Sequence, residues 1–129
     1  MGTSQFNEVR PITLAAQIVA ADTTDFVLIQ DSQQYDRRID YVSVVNNDTI
    51  DHVVNFHLDV NGSGVGMQSV TVPAGTGIGG VAALDVFGVA NPTNVLGWVL
   101  TAVVKVYAFA EVAVTSGHSI QITMMGGEL

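Results

Sequence analysis

The sequence predicts an all-β domain, an antiparallel β-sandwich or jelly roll of about eight strands with a polar N-terminal arm. Three observations predict it. Residues 52 to 60, His-Val-Val-Asn-Phe-His-Leu-Asp-Val, alternate with a period of two, which suits a strand with one buried and one wet face. Turn chemistry fences that run, Asn46-Asn-Asp-Thr49 before it and Asn61-Gly-Ser-Gly64 after it, and similar punctuation recurs along the chain. No window of ten or more residues carries the 3.6-residue period of an amphipathic helix.

The elements follow in order. Residues 1–11 are polar, end at Arg10-Pro11, and read as an arm; residues 12–129 read as one β-sandwich domain. Ile12 to Val19 is the first strand, Ala20 to Thr24 a turn, and Phe26 to Gln30 the second strand. Asp31 to Arg37 is a polar loop. Arg38 to Val45 is a third strand with Ile39 and Tyr41 on one face and Val42 and Val44 on the other, a mixed pattern that points to a bulge or to burial on both faces. Residues 52 to 60 are the fourth strand, with Val54, Phe56, Leu58 and Val60 inward, and Gln68 to Val72 is the fifth.

Pro73-Ala74-Gly75 opens a glycine-rich connection through Gly80, and Val81 to Phe87 reads as a short strand. Asn91 to Asn94 is a turn, and Val95 to Leu100 is a strand. Val103 to Val114 is a strand too long to run unbent, with Val104, Val106, Ala108, Ala110, Val112 and Val114 on one face. Lys105, Tyr107, Phe109 and Glu111 share the other. Ser116-Gly117 turns into the last strand, His118 to Met124, with Ile120, Ile122 and Met124 inward; Gly126 and Gly127 end the fold.

Composition narrows the function. The chain has 129 residues, one domain by size and long enough to bury a core. There is no cysteine, hence no disulfide and no thiolate metal site. Hydrophobic residues make up 48% and charged residues 12%, an apolar balance that fits a subunit covered by partners. Net charge is −8 with only Arg10, Arg37, Arg38 and Lys105 as fixed cations, too few for a nucleic-acid-binding patch. The N-terminus has neither the basic and apolar regions of a signal peptide nor a myristoylation signal. Val95 to Val114 contains Lys105 and Glu111 and alternates in its second half, so it reads as strand rather than membrane span.

Catalytic and cofactor patterns are thin. Gly75-Thr-Gly77-Ile-Gly79-Gly80 fits G-x-G-x-x-G, but a proline precedes it, no helix is evident after it, and the position twenty residues on is Leu100 rather than an acid. Asp59, Asn61 and Ser63 have the spacing that opens a calcium loop, yet the twelfth position is Val70; a turn explains them, and a weak site completed elsewhere stays open. His52 and His57 fall on opposite faces of a strand, so with His118 they do not form an evident metal set. No serine sits in a nucleophile elbow, and nothing selects a carboxylate pair from Asp25, Asp36, Asp40 and Asp85. The expectation is no enzyme and no cofactor. Tyr107 and Phe109, flanked by charges, read either as an outward aromatic contact or as a strand covered on both faces.

Three segments together carry a resemblance: Tyr41-Val-Ser-Val-Val-Asn-Asn-Asp-Thr-Ile-Asp-His-Val-Val-Asn-Phe-His-Leu58, Val70-Thr-Val-Pro-Ala-Gly75, and Ser116-Gly-His-Ser-Ile-Gln-Ile-Thr123. In this order the chain resembles small β-sandwich structural proteins of tailed bacteriophages. The aliphatic stretch Val95 to Val114 is longer and less polar than that pattern. The resemblance implies a virion location and a capsid-decorating (cement) role without catalysis. It also implies a homo-oligomer, a trimer by preference, seated on the major capsid protein, with no nucleic acid or membrane partner. The arm would reach a neighbour, so Phe6 and Arg10 join Tyr107 and Phe109 as contact candidates. The alternative is a tail, neck or fibre component that binds a receptor or carbohydrate, which calls for exposed rings beside acids and amides.

Overall fold

The computed structural model describes residues 10–60, 63–90 and 98–129. Among them are nine strands, one short α-helix and a single 3-10 turn at Ala20–Asp22: β1 (Arg10–Val19), β2 (Val27–Gln30), β3 (Arg37–Asn46), β4 (His52–Val60), β5 (Ser63–Val72), β6 (Leu84–Asp85), α1 (Val86–Ala90), β7 (Trp98–Leu100), β8 (Lys105–Ala110) and β9 (Ser119–Glu128). They form two antiparallel sheets. One runs β1-β9-β3-β6, with β7 also paired to β3; the other runs β2-β8-β4-β5. The nested pairs β1–β9, β2–β8, β3–β6 and β4–β5 are those of one long hairpin rolled into a sandwich, which is the jelly-roll order.

The period-two patterns place the core. Val54 and Phe56 of β4, Val106, Ala108 and Ala110 of β8, and Ile120, Ile122 and Met124 of β9 are all buried between the sheets. Leu58 lies at the margin, packed against the core but only partly buried. Trp98 closes one end, its ring 5.6 Å from that of Phe56 and 5.1 Å from that of Phe87.

The expected bulge in the third strand is present: the β3–β9 register shifts between Ile39 and Tyr41. Opposite it, Gly126 lies so close to β3 that a Cβ there would sit 1.8 Å from the Arg38 carbonyl oxygen. Gly126 and Gly127 therefore belong to β9 rather than ending the fold, because the bulge needs a residue without a side chain.

Other boundaries differ for physical reasons. β1 opens at Arg10, where Arg10 and Pro11 pair with Glu128 and Gly127; an arm over residues 1–9, with Phe6, lies outside the described residues. β5 extends back to Ser63 and absorbs its irregularity at Met67, where the β4–β5 register slips. Val81 to Phe87 yields only the two-residue β6 before α1 begins, because Val86 and Phe87 turn inward to the core. The expected strand over Val103 to Val114 stops at Ala110, and Val112 is exposed. The turn expected at Asn91 to Asn94 lies outside the described residues. Among the described residues no helix is long and apolar enough to cross a membrane.

The glycine-rich connection is a run of turns. Gly75, Gly77, Gly79 and Gly80 all have positive φ, and Gly77 also passes Val45, whose Cγ2 would lie 2.8 Å from an added Cβ. These glycines serve the loop's backbone conformation, as the turn reading expects.

Candidate functional site

Alternation sends Tyr107 and Phe109 to the outer face of the β2-β8-β4-β5 sheet, because Val106, Ala108 and Ala110 take the inner one. Strand pairing then builds rows across that face. Leu28, Tyr107, His57 and Gly66 form one row, and Phe109, Asn55 and Ser69 the next. A third row sets Lys105 opposite Asp59 and Gly64.

Phe26, at the entry to β2, leans over these rows. Its ring centroid lies 4.9 Å from Phe109 in an edge-to-face arrangement, 5.2 Å from His57 and 6.0 Å from Tyr107. His57 and Phe109 are themselves 5.3 Å apart. Such contacts favour a fixed cluster over independent side chains. The cluster is nonetheless open to solvent: Phe26 is 57% exposed, against a usual preference for burying so large a ring. Leu28 and Val65 are exposed on the same sheet.

Beside the cluster is a hollow of about 300 Å³ lined by Phe26, His57, Leu58, Asp59, Gly64 and Tyr107. Of the Asp59 carboxylate, Oδ1 is buried and has no hydrogen-bond partner among the described residues. Lys105 sits opposite Asp59 in register but directs its ammonium 3.8 Å from Asp31 Oδ1. On the other side, Asn55 Nδ2 donates to Glu111 Oε2 at 3.1 Å, and the Ser69 hydroxyl donates to Asn55 Oδ1. Rings, a carboxylate and an amide thus converge on one surface.

Of the sequence candidates, Tyr107 and Phe109 come together here, facing outward and half-buried by their neighbours rather than by a covering layer. Arg10 does not join them; it is exposed at the start of β1 in the other sheet. Phe6 lies outside the described residues. Phe26 and His57 were missed. Their side chains meet the others only through the β2–β8–β4 pairing, which no local pattern reveals.

A second cluster lies at the end of the sandwich where β3 turns into β4. Asn46 Nδ2 donates to the carbonyls of Ile50, Val72 and Pro73, and its Oδ1 accepts from the Asp48 amide. Oδ2 of Asp48 accepts from His52 Nε2 and from the Thr115 amide, each at 2.8 Å, while Oδ1 accepts from the Thr49 amide. The Asp48 and His52 side chains are fully buried. Burial pushes the Asp48 carboxyl up, but the hydrogen bonds from His52, Thr115 and Thr49 outweigh it and hold the group well below the usual carboxylate range. These polar residues tie three loops together: β3–β4, β5–β6 and β8–β9. With no exposed atom on either side chain of the pair, the cluster holds structure rather than meeting a ligand.

His118 bonds the Asn47 carbonyl through Nδ1 at 2.9 Å, beside the same turn. Among the described residues no group of three or more histidine, aspartate or glutamate side chains is arranged to hold a metal ion. Asn61 of the calcium-type spacing lies outside the described residues. No protein-family model matches the chain, and no curated protein matches it.

Proposed function

We propose that the chain is a virion structural protein that decorates and stabilises a capsid, acting by contact rather than by chemistry. The observation that carries this reading is the outward ring cluster of Phe26, His57, Tyr107 and Phe109 on a packed jelly roll. Rings fixed by one another and left exposed are the anchors of protein interfaces, because they bring large apolar area at low entropy cost. The apolar, acidic composition supports a subunit that buries surface against other subunits and stays clear of packaged nucleic acid. The segments Tyr41–Leu58, Val70–Gly75 and Ser116–Thr123 that resemble phage sandwich proteins support it as well, since they supply the knot of loops and the central strand. A homotrimer on the major capsid protein is the form this reading takes.

A second reading is favoured by the hollow beside the rings. Aromatic faces next to Asp59, with Asn55 opposite Phe109 in the neighbouring row, are also what a receptor- or carbohydrate-binding tail or fibre component needs. Copy number in purified particles separates the two. A count of the same order as the capsid protein is expected for a cement protein. A handful per particle moves the chain to neck, tail or fibre, and absence from particles overturns both.

A further inference from the structure

We infer that the hollow between Phe26, Tyr107 and Asp59 receives an arginine side chain of the protein partner that docks on this face. The inference rests on the contact reading of the outer sheet and names what the partner must present there.

Three observations carry it. First, the hollow pairs ring faces with a carboxylate, and a flat guanidinium is the protein group that satisfies both at once. It stacks on the negative face of a ring and donates in parallel to carboxylate oxygens. Second, Asp59 lines the hollow with a carboxylate that is incompletely paired among the described residues. Its Oδ1 has no hydrogen bond among the described residues, and a carboxylate beside ring faces calls for a charge-assisted donor. The chain's own cations are engaged or remote: Arg37 pairs with Glu128 at 3.4 Å, Arg38 with Asp40 at 2.8 Å, Lys105 with Asp31 at 3.8 Å, and Arg10 lies on the other sheet. Third, charge favours a basic visitor, since the chain carries −8 overall.

Size points the same way. A hollow of about 300 Å³ is at the low end for small-molecule sites, which suits one side chain better than a chain of sugars. Gly64 keeps the rim low, with nothing within 4 Å of where its Cβ would stand. The internal rival is Lys105, opposite Asp59 in register. Its ammonium already leans to Asp31 in an exposed pair of small worth, so an arriving guanidinium has little to displace.

The test uses the full-length protein labelled with ¹⁵N. A blocked tripeptide with central arginine, the same peptide with central glutamate, and a panel of methyl glycosides are titrated in turn. The arginine peptide is expected to move the amide signals of Gly64, Gly66 and Tyr107 and the glutamate peptide to leave them still. Asp59→Asn, which keeps the side-chain shape, is expected to weaken that binding about tenfold. Lys105→Met is expected to leave it equal or tighter. No shift with the arginine peptide, a glycoside that shifts these signals where arginine does not, or full-strength binding by Asp59→Asn overturns the inference. Failure here is separable from failure of the virion reading. A chain abundant in particles whose hollow ignores arginine loses only this inference, and a chain absent from particles whose hollow takes arginine loses only the capsid role.

Discussion

At the scale of single residues, Asp48 is the most consequential side chain in the molecule. Both of its oxygens accept within its own fold: from His52, from the Thr115 amide and from the Thr49 amide. Removing one partner of a fully buried pair leaves the other without compensation, so Asp48→Ala should cost about 3–5 kcal/mol in denaturant unfolding. His52 Nδ1 already has no partner among the described residues, which leaves the imidazole nothing to fall back on. The sequence showed part of this. Asn46-Asn-Asp-Thr49 reads as turn chemistry, and a turn it is, but its reach to Pro73 and Thr115 depends on loops that are distant along the chain. Tyr107 and Phe109 were legible as outward-facing from alternation alone; that Phe26 would lie against them was not.

At the scale of elements, alternation did most of the work. It placed β4 to the residue, and the inner sets of β8 and β9, because a period of two allows only one assignment once a face is apolar. It failed where the chain leaves the regular pattern. The aliphatic run from Val103 to Val114 reads as too long for one unbroken strand, but alternation does not say where it breaks; the ladder ends at Ala110. There Glu111 donates its amide to Val53, and the chain turns toward Asp48. Likewise two glycines near the C-terminus look like an ending and are instead the clearance for a bulge. That contact is testable: Gly126→Ala places a methyl against backbone that cannot rotate away, and should lower unfolding free energy by about 3 kcal/mol, the upper end of ordinary overpacking. Gly64→Ala, with open space around it, is the matched control and should stay near zero in the same denaturation series.

At the scale of the whole molecule, the buried carboxylate sets an acid limit. A carboxyl held below its ordinary value in the fold binds its proton more readily when unfolded, so its contribution is present above the ordinary carboxylate range near pH 4. That contribution drains away as the pH falls below that range toward the folded value. Denaturant midpoints measured from pH 7 down to pH 3 should therefore fall, and the fall should be shallower in Asp48→Asn. Equal slopes would mean that other carboxyl groups set the acid limit.

The strand order has a consequence for biogenesis. β9 lies between β1 and β3, so the first of the described strands finds its partner only in the last of them. The four-stranded sheet can zip as soon as β8 emerges, but the other sheet lacks its middle member until β9 follows. During that interval β1 waits with both edges unpaired, and a frameshift anywhere after Ala110 would strand it there. Chains that lose β9 would thus surface as aggregates rather than as folded protein lacking one strand.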